Sequence, residues 1–257
     1  MAAIPTCCLT SFNWSGTPTG ITSSFPTLPK NPFYITGTNP TAAILLIHDL
    51  FGWTFPNLRL LADHYAREAN ATVYLPDFFG GGALDTSAIL AERWAELDLP
   101  SFLSRNGREA REAEIISFAK ELRTKHEKLG AVGFCYGGWA VHRLGAGEFV
   151  DKETGKGLVD CVTAGHPSLL TERDIEEVAV PVQVLAPEVD QAYTKEMKLL
   201  GFETLQRNGV PLNYVHFPGV EHGALVRGDE TKKGEREAMA RGKSAAVAWQ
   251  RWWLHGI

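Results

Sequence analysis

The chain has 257 residues, 44% of them hydrophobic and 21% charged, with 30 acidic and 25 basic side chains for a formal net charge of -5. Mild acidity leaves no basic stripe to follow a phosphate backbone, and no apolar run reaches the roughly 18 to 20 residues of a membrane span, so neither nucleic acid nor membrane is an expected partner. Of the four cysteines, Cys7 and Cys8 are adjacent near one end while Cys135 and Cys161 stand alone in apolar segments, a spacing that suits neither a disulfide framework nor a zinc site. The opening MAAIPTCCLTSFNWSG has no positive n-region, and the expectation is a cytosolic protein without metal or cofactor.

The first forty residues are rich in Thr, Ser, Pro and Gly, which predicts irregular or edge-strand structure packed on one domain that takes in the whole chain. Residues 42–48 (AAILLIH) form a short apolar run, the pattern of a strand covered on both faces. Over 56–68, Leu58, Leu61, Ala62 and Tyr65 recur at helical spacing, with Pro56 suited to the first turn. A second buried strand, 72–75, ends at Pro76-Asp77. The loop FFGGGALD follows, and its three glycines support no regular element. Residues 88–106 read as a lid or a solvated helix. Beyond them a helix over 108–129 leads to a strand at 131–134, then Gly137-Gly138 and another helix. Later strands are expected at 161–164, 182–186 and 213–217, with helices over 193–207 and 235–253. Strands alternating with helices in this way predict an α/β class, an open and mostly parallel sheet with helices on both faces, in which ligands bind beyond the carboxyl ends of the strands.

The pentapeptide Gly133-Phe134-Cys135-Tyr136-Gly137 joins a strand to a helix and has the G-x-nucleophile-x-G form. Small residues on either side permit a sharp turn, and the helix N-terminus behind Cys135 favours a thiolate. Against this stands the ordinary role of an isolated cysteine as a small core residue. On this type of sheet the nucleophile is followed by an acid and then a histidine, each beyond a later strand. Asp190, in APEVDQAY, and His222, in PGVEHGAL, fall at those places. Asp190 is equally suited to cap a helix, Glu188 competes with it as the acid, and His222 is one of eight histidines.

With GFCYGG, the EHG around His222, His48-Asp49-Leu50-Phe51-Gly52-Trp53 and Pro76-Asp77-Phe78-Phe79 in hand, the sequence resembles the dienelactone hydrolase (carboxymethylenebutenolidase) family of α/β-hydrolases over most of the chain. CCLTSFNWSGTPTG and HGALVRGD resemble its fungal branch. The resemblance implies the α/β-hydrolase fold, with Cys135 as nucleophile, Asp190 as orienting acid and His222 as base. Bacterial members carry a glutamate at the position matched by Asp49, where it holds the resting cysteine, and they clamp a substrate carboxylate with arginines. Asp49 is one methylene shorter, Arg227 is the nearest arginine but is offset by one position, and Arg93 cannot be assigned as its partner.

These residues lead to a cysteine-dependent hydrolase of a small-molecule lactone or activated ester, working through an acyl-enzyme as a monomer or homodimer. Backbone N–H groups of Leu50 and Tyr136 occupy the oxyanion-hole positions. The mouth is expected to be lined by Phe51, Trp53, Phe78, Phe79, Tyr136 and Trp94, an aromatic set whose competing role is core packing. Two alternatives share the scaffold: a non-catalytic small-molecule binder, and an isomerase or dehydratase acting on polyketide intermediates.

Overall fold

The computed structural model describes residues 13–85, 87–88, 93 and 96–257; Cys7, Cys8 and Trp94 lie outside them. Two strands come from the stretch expected to be irregular or edge-strand structure. They are β1 (Ile21–Phe25) and β2 (Leu28–Thr36), paired antiparallel across a tight turn. The edge-strand part of the expectation is thus the correct one: Phe33 and Tyr34, adjacent and so on opposite faces of β2, are both buried.

The centre of the sheet is built from the apolar runs. β3 (Ala42–Ile47) is buried at every position. It is followed by α1 (Pro56–Glu68), which opens on a proline and buries Leu58, Leu61, Ala62 and Tyr65, and by β4 (Thr72–Pro76). The region assigned to a lid or solvated helix contains α2 (Leu99–Asn106), capped by the Asp98 carboxylate on the Ser101 N–H. Its Phe102 is buried edge-on against Phe79, at 4.9 Å between ring centroids, so α2 packs onto the body.

The helix expected over 108–129 stops earlier, as α3 (Arg108–Lys125). His126 turns extended, where its ring meets the Pro40 carbonyl and the Tyr74 hydroxyl, and β5 (Lys128–Phe134) begins two residues later. Leu129 belongs to the buried run of the strand.

The chain continues through α4 (Gly137–Leu144), β6 (Cys161–Gly165), α5 (Glu172–Glu177), β7 (Val182–Val189), α6 (Lys195–Arg207), β8 (Leu212–Glu221), the short α7 (Ala224–Arg227) and α8 (Lys233–His255). The eight strands form one sheet in the order β1-β2-β4-β3-β5-β6-β7-β8, antiparallel at the β1-β2-β4 edge and parallel from β4 to β8. A side chain at Gly130 would strike Gln250 of α8, whereas one at Gly133 would strike Val141 of α4. Those strand positions point to opposite faces, so α4 and α8 cover the two sides of β5. Among the described residues no helix is long and apolar enough to cross a membrane.

Beyond the pairing of β2 with β4, a buried phenol ties the edge to α1. Tyr34 donates to Asp63 of α1 at 2.7 Å and accepts from the Gly20 N–H, while the other Asp63 oxygen accepts from Thr19. Burial, with Asp63 adding to it, pushes the Tyr34 pKa up to about 12, so it stays a donor at any working pH. Tyr34→Phe removes one donor and strands two groups, and a loss of about 1–3 kcal/mol in denaturant-unfolding stability is expected with the sheet retained.

Candidate active site

The strand-to-helix turn at Cys135 is enforced by backbone contacts. Cys135 has φ +49°, a conformation that a side chain with a Cβ disfavours. It persists because the chain packs so closely around it that no Cβ is tolerated two residues away on either side. One at Gly133 would lie 2.2 Å from the Gly137 carbonyl oxygen, and one at Gly137 would lie 2.4 Å from the Ile47 oxygen. The Cys135 N–H donates to Gly165 O at 3.0 Å, and its carbonyl accepts from Gly138 N and Ser168 N. The thiol therefore sits at the N-terminus of α4, at the carboxyl end of the central strand.

Asp190 and His222 reach the same place from the ends of β7 and β8. His222 Nδ1 meets Asp190 Oδ1 at 2.8 Å, with both side chains fully buried. The same carboxylate oxygen accepts the N–H groups of Ala192 and Tyr193, at 2.9 and 2.8 Å, which fixes its direction. Asp190 does not cap α6; Thr194 does, accepting from Met197 N. Glu188, the competing acid, is exposed and accepts from the Gly219 N–H. Burial alone disfavours a charged His222, but the Cys135 sulfur and then Asp190 outweigh it and push its pKa up to about 10. The sulfur contributes by charge and by a hydrogen bond to the ring, so the three side chains form one connected set.

Asp49 and Arg227 form a second buried pair, with Arg227 Nε 3.0 Å from Asp49 Oδ2. Asp49 Oδ1 accepts from the Phe51 N–H, and the guanidinium lies over the Phe51 ring at 4.7 Å. Space for it exists because Gly223, at φ +87°, lacks a Cβ that would fall 2.4 Å from the guanidinium. Burial raises the Asp49 pKa, Arg227 opposes that and the Cys135 charge adds to it, with the outcome at about 6. Arg227 is thus held against a carboxylate of its own chain. Arg93 is on the surface, paired with Glu96.

The aromatic residues expected at the mouth differ in exposure. Of those among the described residues, Phe51, Phe78, Phe79 and Tyr136 are at most 2% exposed and Trp53 is partly open. His48 gathers three of them, its ring lying 4.3 Å from Phe79, near Phe78 and stacked on Tyr136, while Phe51 packs against Phe55 and under the Arg227 guanidinium. Burial lowers the His48 pKa to about 4, so the ring is neutral, with Nδ1 toward Asp49 O and Nε2 accepting from Phe78 N. Leu50 lies buried in the turn after β3, and Tyr136 immediately precedes α4. Among the described residues no group of three His, Cys, Asp or Glu side chains is placed to hold a metal ion.

The turn after β6 was not singled out in the sequence. His166 is fully buried with its ring 4.8 Å from that of His222, and Ser168 Oγ lies 3.5 Å from Cys135 Sγ. Its signal was a polar GHPS directly after a recognised strand.

A model of the dienelactone hydrolase family matches residues 31–253. A fungal relative, hydrolase tropI of Talaromyces stipitatus, is 28% identical over 261 residues and covers 97% of each chain. Among solved structures, carboxyl esterase 2 of Tuber melanosporum superposes with a TM-score of 0.61 at 14% identity, covering 95% of this chain and 90% of that one. The dienelactone hydrolase of Anabaena variabilis does so with a TM-score of 0.57 at 16% identity, covering 92% and 98%. These likenesses establish the α/β-hydrolase fold. With the family model spanning most of its length, this chain belongs to the dienelactone hydrolase family and is a hydrolase of esters or lactones.

Proposed function

We propose that the protein hydrolyses neutral lactones or activated esters through a thioester formed on Cys135. The observation that carries this reading is the buried contact of His222 with both Cys135 and Asp190 at one end of the sheet. His222 takes the thiol proton, and the sulfur attacks the substrate carbonyl carbon. The oxyanion is held by the Leu50 and Tyr136 N–H groups, one in the turn after β3 and the other at the start of α4. When the tetrahedral intermediate collapses, the C–O bond breaks and the departing alkoxide takes the proton from His222. Water, deprotonated by the same ring, then releases the acid and restores the thiol. Asp190 keeps Nδ1–H directed at itself, leaving Nε2 for these transfers. A thiolate leaves more readily than an amide nitrogen, which favours esters, lactones and thioesters over peptides.

The preference for a neutral substrate follows from Arg227. Its charge is already faced by Asp49 in a buried pair, so drawing it to a substrate carboxylate would leave Asp49 buried and uncompensated. A neutral aryl ester is expected to exceed its carboxylate-bearing analogue in kcat/KM by about tenfold or more at neutral pH, an energy gap of about 1.4 kcal/mol. The reverse order would refute the preference.

Cys135→Ala is expected to lower the turnover of the neutral ester by about a thousandfold or more, with Cys135→Ser retaining a part. Equal turnover in the alanine variant would overturn the nucleophile assignment. The His222 imidazolium, stabilised by Cys135 and Asp190, persists below its raised pKa and is lost as pH rises through about 10. The alkaline fall in kcat/KM is therefore expected near that value. Asp190→Asn removes one negative neighbour and moves the fall to lower pH, by about one to two units, in a pH-rate profile.

A further inference from the structure

Resting on the reading of Cys135 as the nucleophile, we propose that Ser168 is a positioning residue whose hydroxyl donates to the Cys135 sulfur, holding the resting thiolate from the turn after β6. In the bacterial pattern a carboxylate holds the resting cysteine. Here the matching Asp49 is engaged by Phe51 N–H and Arg227, and a carboxylate has no proton to offer a thiolate. Ser168 Oγ, at 3.5 Å from the sulfur, is a donor within range of a sulfur acceptor.

The turn is built to keep that hydroxyl in place. Gly165 O and Ser168 N bracket Cys135 through its own N–H and C=O. His166 is a buried peg between Phe134 and His222, at ring distances of 5.6 and 4.8 Å, and makes no hydrogen bond from its ring to another residue. Its backbone N–H is held by Leu185 O. At the far end Arg108 donates to Leu169 O at 2.7 Å while paired with Asp174. His166 and Leu169, flanking the Pro167-Ser168 pair, both have positive φ, so the loop adopts a shape it does not take freely.

The charged and titratable groups around the sulfur come from four elements. They are Asp49 after β3, His166 after β6, Asp190 after β7, and His222 with Arg227 after β8. His166 stays neutral because burial lowers its pKa far below the ordinary value, with the His222 and Arg227 charges acting in the same direction. Ser168 adds a neutral donor to this set. It stabilises the thiolate without introducing a second charge that Asp49 or His222 would have to answer.

The test reads the thiolate directly and needs no substrate. The ultraviolet thiolate absorbance of the full chain is titrated against pH and differenced against the matching Cys135→Ala protein, so that Cys135 alone is seen. Ser168→Ala removes one oxygen and keeps the backbone bond to Cys135, and is expected to raise the titration midpoint by about one pH unit. Ser168→Thr, which keeps the hydroxyl, is expected to restore it. A midpoint in Ser168→Ala that is unchanged or lowered overturns the proposal, as does a rise that threonine fails to reverse. Failure of the nucleophile assignment would instead appear as full ester turnover in Cys135→Ala, which this titration does not measure.

Discussion

The site depends on a backbone turn that only a particular packing can sustain. Cys135 takes a left-handed conformation at the end of β5, and the main chain of Gly137 lies almost on Ile47 and Gly133. Three of the four non-glycine residues with positive φ among the described residues are Cys135, His166 and Leu169, all in the two turns that meet at the sulfur. Strain of this kind costs on the order of 1–3 kcal/mol per residue and survives only where surrounding contacts over-determine it. The fully buried centre of the sheet supplies that determination, with β3, β5 and β6 in unbroken parallel register up to Gly133 and Gly165. The elbow is therefore a consequence of the core, and the aromatic layer of Phe79 and Tyr136 against His48 stiffens it from behind.

Charge at the end of the sheet is arranged as two buried pairs with the thiol between them. Asp49 with Arg227, and Asp190 with His222, each place an acid against a base away from water. Moving a proton from Cys135 to His222 leaves the total charge of this set unchanged. It also sets an imidazolium between a carboxylate and a thiolate, the geometry that lifts the His222 pKa. Asp190 tolerates its position because two backbone N–H groups share the oxygen that His222 uses. Asp49 is less well compensated, and its carboxyl is pushed up to about 6 by burial with the sulfur charge adding to it. Its state is thus linked to that of the thiol across the site.

Much of this was legible in the sequence, for identifiable reasons. Apolar runs such as AAILLIH predict a buried strand directly, because a strand covered on both faces has no polar side to display. The places of Cys135, Asp190 and His222 at the ends of β5, β7 and β8 follow from chain order. The helix boundary near 125 was hidden because His126 and Lys128 carry no turn signature, and tertiary contacts to Pro40 and Tyr74 end the helix there. The pairing of Asp49 with Arg227 joins residues far apart in sequence and depends on Gly223 lacking a side chain, which no local pattern displays. Aromatic residues near strand ends were ambiguous between mouth and core because either role favours the same residue types, and the depth of Phe51, Phe78, Phe79 and Tyr136 has no local signature.

Two buried cysteines among the described residues separate what burial does from what placement does. Cys161 begins β6, touches Gln250, and has its pKa raised well above 9.0 by burial, with Asp160 adding to the shift. No cation outweighs those effects there, and the thiol is a packing group. Cys135 is equally buried, yet it lies at the N-terminus of a helix, in contact with the His222 ring and 3.5 Å from the Ser168 hydroxyl. Low exposure by itself would make both sulfurs inert. The difference lies in which groups the sheet delivers to each one: β6 begins at the amino end, where Cys161 meets only its neighbours in the core. β5 ends at the carboxyl edge, where the turns after β3, β6, β7 and β8 converge on Cys135. The chemistry available to each cysteine is set by its position along a parallel strand, since every parallel strand delivers its following loop to the same edge.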